Sequence, residues 1–200
     1  MDSEQRHGGP ARHRDRGQHL TRYAGRILVV CPRCGGRAEV VQRPGLPPLK
    51  HYGELRFRPR RLVCPGCGAI AEWRARRLNG ALIGVRLGGT EDPFFRRPLW
   101  LQTRCAGRVL WAYDEEHVDA LAAYVGAALR EGGTGATQAM FPRLPRWMKE
   151  SGHRAEVLAG LDRLRTLSGR SAPSDRSDAA HERAAGAGPH GVRYYRGGPY

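Results

Sequence analysis

A repeated five-residue phrase constrains this chain more than anything else in it. Cys31-Pro32-Arg33-Cys34-Gly35 and Cys64-Pro65-Gly66-Cys67-Gly68 carry the same punctuation. Two residues between cysteines allow a tight turn to aim both sulfurs at one ion about 2.3 Å away. Proline after the first cysteine sets φ for the start of that turn. Glycine after the second adopts the left-handed conformation that turns backbone amides toward the thiolates. Each knuckle lies between short apolar stretches: Ile27-Leu28-Val29-Val30 and Ala38-Glu39-Val40-Val41 around the first, Arg61-Leu62-Val63 and Ile70-Ala71-Glu72-Trp73-Arg74 around the second. The pattern predicts one zinc ion held by Cys31, Cys34, Cys64 and Cys67, with iron as the alternative of the same geometry. A thioredoxin-like redox pair needs a βαβ setting and only one Cys-x-x-Cys. Five cysteines are an odd number for a disulfide framework, and a reducing cytosol favours metal binding.

Past the second knuckle, Asn79-Gly80 is the strongest two-residue hairpin signal, because both residues tolerate the positive φ of a type I′ turn. The returning strand is expected over Ala81 to Leu87, broken by Gly88-Gly89-Thr90-Glu91-Asp92-Pro93. A second hairpin is expected from Leu99-Trp100-Leu101-Gln102-Thr103 and Val109-Leu110-Trp111-Ala112-Tyr113, joined across Gly107. Asp114 reads as an N-cap, followed by Glu115 and Glu116 at the positive end of a helix dipole, with Gly132 as the stop. Val118, Leu121, Ala122, Val125 and Leu129 form the apolar face of that helix. Pro145 opens a short turn through Trp147 and Met148, and a last helix runs from His153 to Leu167. The expected fold is α+β: a small antiparallel β zinc ribbon over 26–90, then a second β-hairpin capped by two or three C-terminal helices over 91–167. Residues 1–25 form a basic arm poor in large apolar side chains, and 168–200 a low-complexity tail, both expected to be disordered.

The two knuckles resemble a zinc ribbon of the transcription-factor-IIB or rubredoxin-knuckle kind. From Ile27 to Leu167 the chain also resembles a set of uncharacterised bacterial zinc-ribbon proteins. That likeness is carried by the knuckles, Pro98 through Thr103, Gly107, Leu110 through Tyr113, His117, Leu144-Pro145-Arg146-Trp147-Met148-Lys149 and the final helix. It implies a shared fold and assigns no activity, since zinc ribbons serve nucleic acids and proteins alike.

Charge then narrows the partners. The 34 Lys and Arg against 19 Asp and Glu leave a net charge of +15, and a tetrathiolate zinc adds −4 + 2 = −2, so the loaded protein stands near +13. A GC-rich genome would account for arginine over lysine, but not for the surplus of positive charge, which favours polyanions. Between the knuckles Arg43, Lys50, Arg56, Arg58, Arg60 and Arg61 face one acid, Glu54, with His51, Tyr52 and Phe57 interleaved. Arg74, Arg76 and Arg77 extend the series. Guanidiniums on a rigid ribbon beside aromatics suit phosphates and bases, so nucleic acid, RNA or DNA, is the expected partner. The alternative is a protein adaptor that docks through the ribbon or the tryptophan-bearing hairpin. Arg193-Tyr194-Tyr195-Arg196-Gly197-Gly198 adds a weaker stacking signal.

Catalysis has little to build on. Asp114, Glu115, Glu116, His117 and Asp119 cluster, but acids in a first helical turn complement the dipole and adjacent positions point apart. Cys105, between Arg104 and Arg108, reads as a turn or buried thiol rather than a fifth ligand or nucleophile. No Gly-rich phosphate loop or Ser/His/Asp set is present, and the chain is read as a non-enzyme. With no secretory h-region and no apolar run of about 20 residues, a cytoplasmic location without membrane attachment is expected.

Overall fold

The computed structural model describes residues 12–131, 139–176 and 193–195. In chain order the strands are β1 (Arg12–Arg14), β2 (Arg26–Val30), β3 (Arg37–Gln42), β4 (Arg60–Val63), β5 (Ile70–Trp73), β6 (Arg76–Leu78), β7 (Ala81–Gly84), β8 (Gln102–Cys105), β9 (Arg108–Trp111), β10 (Leu129–Glu131) and β11 (Arg193–Tyr195). Two α-helices, α1 (Glu115–Gly126) and α2 (Arg154–Ser168), complete an α+β fold.

Strands β2-β3-β4-β5 form an antiparallel meander. Pairing of Val30 with Arg37, Glu39 with Val63 and Val63 with Ile70 brings both cysteine turns to one end of this sheet. The run Ile27–Val30 is buried throughout, and the backbone explains how an outer strand can be. Its free edge is covered: Leu28 N–H donates to the Tyr113 carbonyl (2.8 Å), Val30 N–H to Pro98 (2.9 Å), and Trp100 N–H to Leu28 (2.9 Å). Covered on its edge and both faces, the strand needs no polar alternation.

The Asn79-Gly80 turn forms as expected, with φ of 49° and 78°, but the returning strand ends at Gly84. A Cβ on Gly84 would lie 2.5 Å from the Phe57 ring, so glycine is what lets that ring close over the strand. The second hairpin forms around Gly107 as expected, but its strands are shorter and lie closer to the turn, Gln102–Cys105 and Arg108–Trp111. Its turn is Ala106-Gly107, with φ of 48° and 68°, and Trp111 pairs with Gln102. Leu99, Trp100 and Leu101 are instead a fully buried bend, where Trp100 Nε1–H donates to the Leu167 carbonyl (3.1 Å).

Helix α1 starts as expected, the Asp114 carboxylate accepting His117 N–H (2.9 Å). It stops at Gly126, short of Gly132, because Ala127 is extended and Leu129–Glu131 pairs in parallel with Arg12–Arg14. Leu129 is thus exposed on a strand and not part of the helix's apolar face. Helix α2 buries Val157, Leu161 and Leu164 against β8 and α1. One core runs from Tyr23 through the meander to Leu164, so residues 26–90 and 91–167 share an interior.

The expected tails are ordered in part. Tyr23 and Ala24 are buried in a 3-10 turn over Leu20–Ala24, and residues 193–195 add a strand to β7. The rest of both tails, 1–11, 177–192 and 196–200, lies outside the described residues. No helix among the described residues is long and apolar enough to cross a membrane.

Candidate metal centre and basic surface

The two knuckles have the same backbone. Cys31 N–H donates to the Gly36 carbonyl (2.8 Å) and Cys64 N–H to Ala69 (2.9 Å). Gly35 N–H returns to Cys31 (3.0 Å) and Gly68 N–H to Cys64 (2.9 Å). The returning glycines have φ of 75° and 69°, as the sequence pattern requires. Two equivalent turns at one sheet end place all four sulfurs within 4.8 Å of one another.

A tetrahedron with metal–sulfur bonds of about 2.3 Å has edges of about 3.8 Å. Cys31 Sγ lies 3.7 Å from Cys67 Sγ, and Cys34 Sγ lies 3.7 Å from Cys64 Sγ. These separations exclude disulfides, whose S–S bond is about 2.05 Å, and fit a metal ion. Ionisation within the set is uneven. Burial, reinforced by the neighbouring sulfurs, pushes Cys64 up to about 12. At Cys31 burial is outweighed by the backbone N–H groups of Cys34 and Arg33 and by the other sulfurs, which bring it down to about 7. Four adjacent thiolates need a cation among them, and a divalent ion supplies it. The first knuckle is also covered from outside. Arg37 N–H donates to the Ser171 carbonyl (3.0 Å), and Pro173 lies 3.7 Å from where a Gly35 Cβ would stand. The second knuckle is open, with Pro65, Gly66 and Gly68 exposed.

Cys105 stands apart from this cluster. It is buried at the end of β8, where burial raises its thiol, so Arg104 and Arg108 do not activate it. The acidic group around His117 is structural. Asp114 caps α1, Glu115 pairs with Arg26, Glu116 with Arg22 (3.0 Å) and Asp119 with Arg165 (2.7 Å).

The basic residues separate into two groups. Arg58 and Arg60, read in sequence as phosphate contacts, are 3% and 0% exposed. Arg58 donates to Gln42 Oε1 (2.6 Å) and to the Pro47 carbonyl. Arg60 donates to the carbonyls of Gly25 (3.0 Å) and Leu55 (2.7 Å), with its Cζ 4.4 Å from the centre of the Phe94 ring. Both guanidiniums are interior struts, removed from any surface. Arg43 and Arg56 are half-buried, and Arg61 is paired with Glu72 (2.6 Å). Lys50, Arg74, Arg76 and Arg77 are exposed.

Three of these lie together. From Ile70 to Arg76 exposed positions recur at every second residue, Ile70, Glu72, Arg74 and Arg76, along β5 and the link from it into β6. The one acid among them, Glu72, is already neutralised by Arg61. Strand β6 is exposed at all three residues and forms the edge of its sheet, so Arg76 and Arg77 lie on an open edge strand that ends in the Asn79-Gly80 turn, with Arg74 two residues before it. In the sequence these arginines stand only as an extension of the inter-knuckle series. Absence of any acid between Glu72 and Glu91 was the signal that ranked them higher.

A separate cleft of about 570 Å³ opens between the 3-10 turn at Leu20, the start of α1, β9 and residues 140–148. Nothing in the linear pattern brings these segments together. Compared with protein-family models, with curated proteins and with solved structures, the chain matches none.

Proposed function

We propose that this chain is a zinc-stabilised nucleic-acid-binding protein without catalytic activity. Four sulfurs at tetrahedral spacing form a soft, closed donor set, the usual composition of a structural zinc site. The observation that carries the binding role is the exposed stretch bearing Arg74, Arg76 and Arg77, where the one exposed acid, Glu72, is paired. Guanidiniums along an exposed edge strand are placed to reach phosphates and base edges. A net charge of +15 adds the long-range attraction.

The test is a salt titration of oligonucleotide binding. Each phosphate neutralised contributes about −0.9 to the log–log slope on duplex, or about −0.7 on single strands. Replacing Arg74 and Arg76 together with alanine should flatten the slope by up to about two contacts' worth at constant metal content. An unchanged slope, or no affinity at low salt, removes the reading. A second reading, a protein adaptor, is favoured by Ile70 and Leu78, which are 65% and 48% exposed beside the same ribbon. A stoichiometric protein partner lost on Ile70→Lys, with oligonucleotides unbound, would replace the first reading with this one.

A further inference from the structure

The cleft between α1, β9 and residues 140–148 has a volume of about 570 Å³, within the range of sites that enclose small ligands. Arg56, Arg86 and Arg143 line it, and no acidic residue among the described ones does. Trp111, Trp147 and His117 also line it, over an apolar floor that includes Leu110, Leu121 and Met148. His117 Nδ1 accepts Tyr113 N–H (3.2 Å), which leaves the ring proton on Nε2. Burial pushes His117 down to about 3, so at neutral pH the ring offers a hydrogen-bond donor without a charge.

Each part of this lining selects a different part of a ligand. Three guanidiniums with no carboxylate among them call for more than one negative charge. A carboxylate would cancel one, whereas a phosphate dianion cancels two and offers three acceptor oxygens to planar donors. An inorganic anion, however, would leave the tryptophans and the apolar floor without a partner. A flat heteroaromatic ring meets the indole faces and can accept from an imidazole N–H. We infer that this cleft is a binding site for a nucleoside phosphate, its base against Trp111 and Trp147 and its phosphate on Arg56, Arg86 and Arg143. The inference does not rest on the basic ribbon, which lies on other residues. Its ligand could be a free nucleotide or one nucleotide of a strand, since both present the same base and phosphate.

The experiment uses the full, metal-loaded chain. AMP, GMP, CMP and UMP are titrated separately by calorimetry and by tryptophan fluorescence, beside the parent nucleosides and inorganic phosphate. At least one monophosphate should saturate one site per chain, about tenfold tighter than its own nucleoside, because the phosphate contacts are charge-assisted. It should also exceed inorganic phosphate by about the same factor, because stacking on the indoles adds to it. Arg143→Ala and Arg86→Ala, both at exposed positions, should each weaken binding about fivefold or more by removing one charged partner. Trp147→Ala should weaken binding and reduce the fluorescence response to what Trp111 gives, while Arg74→Ala with Arg76→Ala should leave the affinity unchanged. A single-stranded oligonucleotide added as competitor separates the sources: displacement means that a strand supplies the nucleotide, and no displacement means a free one, either of which upholds the site. Saturation by no monophosphate at millimolar concentration overturns the inference. So does binding as tight for inorganic phosphate alone, or binding indifferent to Arg143, Arg86 and Trp147. Failure here leaves the salt dependence of ribbon binding untouched, and failure of the ribbon variants leaves this site untouched.

Discussion

At the scale of single residues, arginine has two opposite uses in this chain. Arg60 lies inside, over Phe94, and its hydrogen bonds satisfy the Gly25 and Leu55 carbonyls. Burial and the neighbouring Arg58 charge lower it to about 9, still charged at neutral pH. Arg60→Met keeps most of the volume but orphans both carbonyls, which should cost about 1–3 kcal/mol for each buried group left unsatisfied. Oligonucleotide affinity per folded molecule should not change. Chemical denaturation paired with the salt titration checks both halves, and a loss of affinity without loss of stability would return Arg60 to the surface. His117 sets a pH dependence. Its folded value of about 3 lies below the ordinary 6.5, so the unfolded chain binds the proton first. Its contribution is intact above about pH 6.5 and is lost as pH falls from there toward 3, at up to about 1.4 kcal/mol per pH unit. Asp114, raised by burial to about 6, works in the opposite sense over part of that range. Comparing the protein with His117→Gln at pH 7 and pH 5, with metal content monitored, cancels the Asp114 term. The wild type should lose more stability on acidification than the variant, and parallel curves would refute the assignment.

Individual elements show where local preference was overruled. Asn79-Gly80 and Asp114 did what their chemistry specifies wherever they stand, since a type I′ turn and an N-cap are settled within four residues. The end of α1 was not settled locally. Ala127, Ala128 and Leu129 all favour helix, yet Leu129–Glu131 gives its backbone hydrogen bonds to Arg12–Arg14, more than a hundred residues away in sequence. Gly84 is the comparable case in a strand. Its place under the Phe57 ring predicts that Gly84→Ala destabilises by about 1–3 kcal/mol through overpacking. Phe57→Leu in the same chain should recover part of that loss. A denaturant series on the two single variants and the double variant measures the coupling, and additive losses would mean that the close approach is not what selects glycine.

For the whole molecule, the four-cysteine site and the hydrophobic core are continuous. Cys31 and Cys64 belong to the same buried cluster as Trp100, Tyr113 and Leu161. Metal binding energy therefore becomes folding energy for the entire body, not for a ribbon alone. Cys31→Ser or Cys67→Ser should abolish metal retention and cooperative unfolding together, whereas Cys105→Ser should keep one metal ion per chain. Near-ultraviolet circular dichroism of a Trp73→Phe chain, whose remaining tryptophans are Trp100, Trp111 and Trp147, reports the far half of the core. Its loss on chelation is expected, and its survival would show that residues 91–167 hold together without the metal.

The four ligands, the two knuckle turns, the ribbon strands and both helix starts were legible in the sequence because each is decided by neighbours along the chain. Spacing sets where Cys31 and Cys34 point, and the left-handed φ of Gly35 and Gly68 needs no distant partner. Burial is a different kind of quantity. Arg58 and Arg60 differ from Arg74 and Arg76 by what comes to lie against them, Gln42 and Pro47 for Arg58, and Phe94, Leu55 and Gly25 for Arg60. The same is true of Trp100, which became an interior hydrogen-bond donor when α2 presented the Leu167 carbonyl, and of the cleft, whose walls come from six separate segments. Sequence determined the metal centre because its geometry is local; the tertiary structure decided which charges and rings face outward, because desolvation depends on what packs against a side chain from elsewhere in the chain.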